Sequence, residues 1–279
     1  MSRRADVLIS AADLRAMLER GERPAILDVR WRLDTPDGHD AYLAGHLPGA
    51  VYVSMEDDLT DHTATGRGRH PLPDGADLQA SARRWGLRQG QPVVVYDDWN
   101  RAGSARAWWV LTAAGLAGVR ILDGGLPAWT AAGGDLQTGP VAPEPGDVTI
   151  THADLYAGAR RTLTADQVPA VATLLDARAP ERFRGESEPV DPVAGHIPGA
   201  ANLPSTAVLA ADGTFLPETE IAALLAARGG GAEVGVYCGS GVTASVVLAA
   251  LSAAGAEAAL FPGSWSQWST DGRPVATGG

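Results

Sequence analysis

The feature that most constrains this chain is that it is written twice. "ILDVRW" (26–31) is answered by "LLDARA" (174–179), and "AGHLPGAVYV" (44–53) by "AGHIPGAANL" (194–203). "VVVYDDWN" (93–100) is answered by "VGVYCGSG" (234–241), and "LDGGLPAW" (122–129) by "LFPGSWSQW" (260–268). The order is the same in both halves, and the spacing drifts only by loop lengths. Internal repetition of this kind means one structural unit used twice. At 279 residues, each half has roughly 140, enough to bury a core of its own.

The repeated unit alternates strand and helix signals. "AILDV" and "VVVYD" are short apolar runs rich in β-branched residues, as in strands buried on both faces. "SAADLRAMLERG" reads as a helix capped by Ser10 and stopped before Gly21. "TASVVLAALSAAG" reads as another, ending at Gly255. "TADQ" (164–167) fits a capping box before the next apolar stretch. Strands alternating with helices predict an α/β fold, each half a mainly parallel sheet flanked by helices. The Pro- and Gly-rich "LQTGPVAPEPGD" divides the chain into a first domain (1–135), a linker (136–147) and a second domain (148–279).

Charge and composition narrow the function. The net charge of −11 argues against nucleic acid, which needs clustered cations, and against anionic membranes. All 22 basic residues are arginine, so lysine Schiff bases and P-loop lysines are excluded. No apolar run reaches the ~20 residues of a membrane span. The start, Met-Ser-Arg-Arg-Ala-Asp, lacks a signal-peptide stretch, so a cytoplasmic protein is expected. A single cysteine, Cys238, excludes internal disulfides and multi-cysteine zinc sites. The six histidines are scattered and give no metal-site signal, and no cofactor is implied.

The two halves differ where it matters chemically. After Tyr96 comes Asp97; after Tyr237 comes Cys238. "YCGSGVTAS" joins a strand to a helix, at the carboxyl end of a parallel strand where α/β proteins bind ligands. Gly239 and Gly241 permit a tight turn whose N–H groups form an anion nest, reinforced by the helix N-terminus. Such a setting favours the thiolate. The alternative is a buried cysteine acting as a small hydrophobe. Phosphate-ester cleavage of the C-x5-R type is excluded, because the sixth residue after Cys238 is Ala244 and not the arginine that clamps phosphate. Sulfur transfer through a persulfide remains. With no second cysteine to resolve it, the acceptor must come from outside. The two His-Leu/Ile-Pro-Gly-Ala segments occur in both halves, so His46 and His196 read as architecture. The tryptophans Trp108, Trp109, Trp129, Trp265 and Trp268 read as core.

At this point "GHLPGA", "GHIPGA", "LLDARAPERF", "CGSGVTAS" and "FPGSWSQW" together resemble the tandem rhodanese family, the thiosulfate and 3-mercaptopyruvate sulfurtransferases, over about residues 6 to 275. The resemblance implies two tandem rhodanese-like domains, with the persulfide cysteine in the second and a degenerate first copy, Asp97 standing opposite Cys238. It implies a small anionic sulfur donor and an external acceptor: a thiol, cyanide, or a protein such as thioredoxin or a sulfur carrier. A sulfur-relay protein that docks its partner uses the same cysteine and stands as the alternative; a non-catalytic binding module is a further one.

The loop Cys238, Gly239, Ser240, Gly241, Val242, Thr243 is similar to the mercaptopyruvate type, in which Ser240 polarises the donor or relays protons. The resemblance brings a histidine and an acid from the first half to that serine; by position these are His70 and Glu56, the latter where the family usually has Asp. A solvent-facing loop histidine is an equal reading of His70. Arg182, in "ERFRG", matches the family arginine that holds the donor's anionic end, against a plain helix-end salt bridge. The second arginine, expected in "EPR", is replaced in "EPVDP" by Val190. Arg182 is therefore the one nearby cation that the sequence identifies.

Overall fold

The structure is a computed structural model and describes residues 3–231 and 233–279. Each half forms its own all-parallel sheet, as the alternating pattern predicts. The first contains β1 (Leu8–Ile9), β2 (Ala25–Asp28), β3 (Val51–Tyr52), β4 (Val93–Tyr96) and β5 (Val119–Leu122), in the order β1-β5-β4-β2-β3. The second contains β6 (Thr173–Asp176), β7 (Ala201–Asn202), β8 (Val234–Tyr237) and β9 (Ala259–Leu260), in the order β7-β6-β8-β9. In both, the strand that leads into the Tyr-Asp or Tyr-Cys pair lies beside the "ILD" or "LLD" strand, in the interior of the sheet.

Duplicated side chains do duplicated work. Tyr96 Oη donates to Asp28 at 2.5 Å and accepts from the Leu47 N–H at 3.1 Å. Tyr237 accepts from the Ile197 N–H at 3.1 Å and bonds Asp176. Each aspartate holds a buried arginine two residues on, Arg30 and Arg178, at 2.6 Å. The repeated histidines are structural: His46 Nδ1 lies 2.9 Å from the Tyr42 carbonyl and stacks on that ring, and His196 Nδ1 lies 2.8 Å from the Phe183 carbonyl and stacks on Phe183. All five tryptophans read as core are buried.

The helices that follow the two equivalent loops, Ala102–Ala113 and Ala244–Ala253, pack against each other. Each is buried almost all round, which explains why neither shows an amphipathic stripe. Their contact merges the two halves into one apolar cluster that includes Leu27, Val95, Trp108 and Trp109 from the first and Val236, Val246, Leu251 and Cys238 from the second. Arg4 ties the halves at the rim, bonding Asp123 and the carbonyls of Phe215 and Leu216.

Ser10 caps helix Ala11–Glu19 through the Asp13 N–H, and Gly21 and Gly255 adopt the positive φ expected past helix ends. "TADQ" forms half of its box. The Gln167 side chain accepts from the Thr164 N–H at 2.9 Å, but the next element is the short 3-10 turn Val168–Ala170 rather than an α-helix; Pro169 supplies no N–H to extend it. The Pro/Gly linker has no regular structure, yet it is not free: Gln137 exchanges backbone hydrogen bonds with His46. Residues 148–159 lie along the first unit, with Val148 bonded to Leu87, Ala153 to Gly75 and Ala159 to Ala113. We therefore propose that the division between the units falls near residue 160 rather than at 148. No helix among the described residues is long and apolar enough to cross a membrane.

Candidate active site

The site forms at the carboxyl end of β8, where the chain must turn from strand into helix. Gly241 makes the turn at φ 82°, and a Cβ there would meet the Pro262 carbonyl oxygen at 2.6 Å, so only glycine fits. Cys238 is 1% exposed, and its Sγ accepts from the Gly241 N–H at 3.1 Å. The neighbouring turn anchors this loop. Ser264, itself at φ 53°, accepts from the Cys238 N–H at 3.2 Å and donates to the Phe261 carbonyl at 2.9 Å. The Cys238 and Gly239 carbonyls accept from the N–H groups of Trp265 and Ser266.

Comparison with the Asp97 loop shows what such a nest holds. Asp97 to Ser104 and Cys238 to Ser245 are segments of equal length that run from a strand into a helix. Asp97 Oδ1 accepts from the N–H groups of Trp99 (3.0 Å) and Arg101 (3.2 Å), and Oδ2 from the Ser104 N–H (3.1 Å) and hydroxyl (2.6 Å). Arg101, fully buried, adds an ion pair at 2.9 Å. The first half thus fills its nest with its own carboxylate. At the matching positions of the second half stand Ser240, Val242 and Ser245. The N–H groups of Ser240 and Val242 have no hydrogen-bond partner among the described residues. The second half places no carboxylate of its own in that nest, which lies in the same buried loop as the thiol.

The first half contributes a polar chain across the interface. His70 is buried, with Nδ1 2.6 Å from Ser240 Oγ and Nε2 3.2 Å from Glu56 Oε1. The solvent-facing reading of His70 is therefore corrected: the loop folds inward against the second unit. Glu56, a methylene longer than aspartate, still reaches the ring. Trp31 Nε1 donates to Glu56 Oε1 at 2.8 Å and His62 Nε2 lies 3.2 Å from Oε2. The hydrogen bond from His70, opposed by burial, holds the Glu56 carboxyl down at about 2, so it is ionised at neutral pH.

Arg182, in the short helix Pro180–Phe183, pairs with Glu188 at 2.6 Å and Asp191 at 3.3 Å. It also faces the loop: a methyl on Gly239 would lie 3.6 Å from its Nη1. Thr243 stands at the N-cap of helix Ala244–Ala253 without a side-chain cap bond, and Val242 is buried in the apolar cluster. Val190 is exposed and offers no charge.

Arg182, the one nearby cation that the sequence identifies, has company in the structure. Arg69, from the same loop as His70, ion-pairs with Asp191, and its Nη2 would lie 3.2 Å from that same methyl on Gly239. Arg106 is fully buried on helix Ala102–Ala113, bonds the carbonyls of Leu59, His70 and Pro71, and sits within electrostatic reach of Cys238. Burial lowers its guanidinium to about 10, which leaves it charged at neutral pH. Both arginines come from the other half, so no local motif at Cys238 could reveal them. An arginine inside the apolar run "SARAWWVL" was the available signal for Arg106, and adjacency to His70 for Arg69.

Comparison with known proteins agrees with this geometry. The rhodanese-like domain model matches twice, at residues 10–132 and 160–271. SseB of Mycobacterium tuberculosis, provisionally named a thiosulfate sulfurtransferase, is 66% identical over 100% of this chain and 99% of its own. A Pseudomonas aeruginosa protein provisionally named a 3-mercaptopyruvate sulfurtransferase is 47% identical over 97% of this chain and 98% of its own. The solved 3-mercaptopyruvate sulfurtransferase from Leishmania major superposes with a TM-score of 0.84 at 30% identity, covering 97% of this chain and 76% of that one. Two matched domains, a full-length relative and the shared architecture make this chain a tandem-domain member of the rhodanese family of sulfurtransferases.

Proposed function

We propose that this protein transfers a sulfur atom through a persulfide on Cys238, with 3-mercaptopyruvate the better small-molecule donor. The Cys238 thiolate attacks the donor sulfur, forming the Sγ–S bond. With 3-mercaptopyruvate, the C–S bond breaks and its electron pair leaves on carbon as the enolate of pyruvate, which must take up a proton. With thiosulfate, the S–S bond breaks and sulfite leaves with the pair, needing none. An external thiolate or cyanide then attacks the outer sulfur and Sγ departs as thiolate. The acceptor is a thiol of general kind; thioredoxin or a sulfur-carrier protein is the finer form of this proposal. A cytoplasmic setting fits it, because a lone thiol nucleophile needs a reducing compartment.

The roles follow the geometry. The N–H groups of Ser240 and Val242, with the Gly239 and Gly241 turn and the helix start at Thr243, cradle the outer sulfur as the first half's N–H groups cradle the Asp97 carboxylate. Arg182 attracts the donor's anionic end. Ser240, relayed by His70 and held in orientation by Glu56, supplies the enolate proton. The observation that carries the donor assignment is the 2.6 Å contact from His70 to Ser240 beside the thiol, since thiosulfate gives such a relay nothing to do. The names of the relatives divide between the two donors, so the test is direct: kcat/KM for each donor with a common thiol acceptor. A ratio favouring 3-mercaptopyruvate is expected; one strongly favouring thiosulfate would overturn the donor assignment.

A further inference from the structure

We infer that Arg69 is a second anion-binding cation of the donor site, supplied by the other domain, and that Asp191 occupies the seat of the donor's anionic end. The inference rests on the sulfurtransferase reading and adds a specificity-determining residue to it.

Two guanidinium groups from different domains converge on one carboxylate. Arg69 pairs with Asp191 Oδ1, and Arg182 Nη2 lies 3.3 Å from Oδ2. Both hang over the cysteine loop: a methyl on Gly239 would sit 3.2 Å from Arg69 Nη2 and 3.6 and 3.7 Å from Arg182 Nη1 and Nη2. A carboxylate between two arginines has the geometry that a donor's anionic end would require. The Asp191 side chain is 2% exposed, and the thiol beneath the loop is closed off as well. An incoming anion must displace something to reach Sγ.

Charge identifies what moves. Arg69, Arg182 and Arg178 face Asp191, Glu188 and Asp176, so the cluster is neutral as it stands. A donor anion added to it leaves one carboxylate without a cation, unless an internal one swings out. Asp176 is locked by Arg178 at 2.6 Å and lies beneath the sheet end. Glu188 is held by Arg182, by Arg178 and by the N–H groups of Val190 and Asp191, and these outweigh its burial and keep its carboxyl low. Among the described residues the Asp191 carboxylate accepts only from the two arginines, and burial pushes its carboxyl up. It is the least anchored of the three.

The test uses the charge of an alkylating agent. Iodoacetate and iodoacetamide attack the same thiol and differ in one carboxylate. The ratio of their rates at Cys238 reports the anion seat without turnover. Arg69→Gln should lower that ratio about tenfold, Arg69→Lys should keep most of it, and Asp191→Asn should raise it. Val190→Arg in the Arg69→Gln background should restore it. Equal slowing of both reagents by Arg69→Gln would make Arg69 merely structural, and a ratio lowered by Asp191→Asn would remove its role as occupant; either overturns the inference. The parent reading fails separately, if the wild-type protein treated with donor holds no cyanide-labile sulfur.

Discussion

Ser240→Ala removes a single oxygen and separates the two donor chemistries. In the structure that oxygen is buried and lies 2.6 Å from His70 Nδ1, whose opposite nitrogen lies 3.2 Å from Glu56. Its loss deprives the enolate of pyruvate of its proton source. A positioned proton donor contributes about 10²–10⁴ in rate, or roughly 2.7–5.5 kcal/mol of barrier, and kcat with 3-mercaptopyruvate should fall by that factor. The arginines at the donor's anionic end are untouched, so KM should move little. Thiosulfate releases sulfite without protonation, and its kcat should hold to within a few-fold. The variant also leaves a buried His70 nitrogen unpaired, costing about 1–3 kcal/mol of stability, so both assays should be run well below the melting transition. Pyruvate release with dithiothreitol as acceptor measures one donor, and sulfite release with cyanide the other. Equal losses with both donors, or no loss with either, would refute the relay.

Other outcomes rest on the same geometry. The Glu56 carboxyl drops from its ordinary 4.5 to about 2, so its contribution to stability is present above pH 4.5 and is lost as the pH falls through 2. The destabilisation by Glu56→Gln, measured by urea unfolding, should therefore shrink across that window; a constant difference would contradict the pairing with His70. Arg106→Met should slow iodoacetamide alkylation of Cys238 at neutral pH about three- to tenfold, because it withdraws a buried cation from the thiolate's surroundings; an unchanged rate would leave Arg106 with only its carbonyl contacts. Gly241→Ala should cost about 1–3 kcal/mol from its positive φ together with the approach to Pro262 and should depress activity with both donors, as checked by thermal unfolding and turnover.

A physical line separates the features the sequence disclosed from those it withheld. The parallel sheets, the helix after each loop and the structural histidines were legible, because they rest on short-range pattern and on repetition. The place of Cys238, at a glycine-rich turn after a strand, was legible because Asp97 marked the same point in the other copy. The interface was not. His70 is separated from Ser240, and Arg69 from Asp191, by more than a hundred residues. "TGRGRHPLP" has no periodicity to say which way it faces. Family likeness could propose Glu56 and His70, but it could not propose Arg69, since it directs attention to position 190. The proposed boundary near residue 160 has a related basis: composition locates the Pro/Gly stretch, whereas the hydrogen bonds of residues 148–159 to Leu87, Gly75 and Ala113 are long-range and leave no local pattern.

The central claim is that one atom, Sγ of Cys238, carries the sulfur between donor and acceptor. It is tested most directly by treating the purified protein with 3-mercaptopyruvate or thiosulfate, removing excess donor, and measuring cyanide-labile sulfur together with the intact mass. Wild-type protein should gain one sulfur atom per chain and lose it to cyanide as thiocyanate, and Cys238→Ser, folded to the same melting temperature, should gain none. Thiocyanate from the serine variant at a rate comparable to wild type, or a wild-type protein that takes up no sulfur from either donor, would contradict the account.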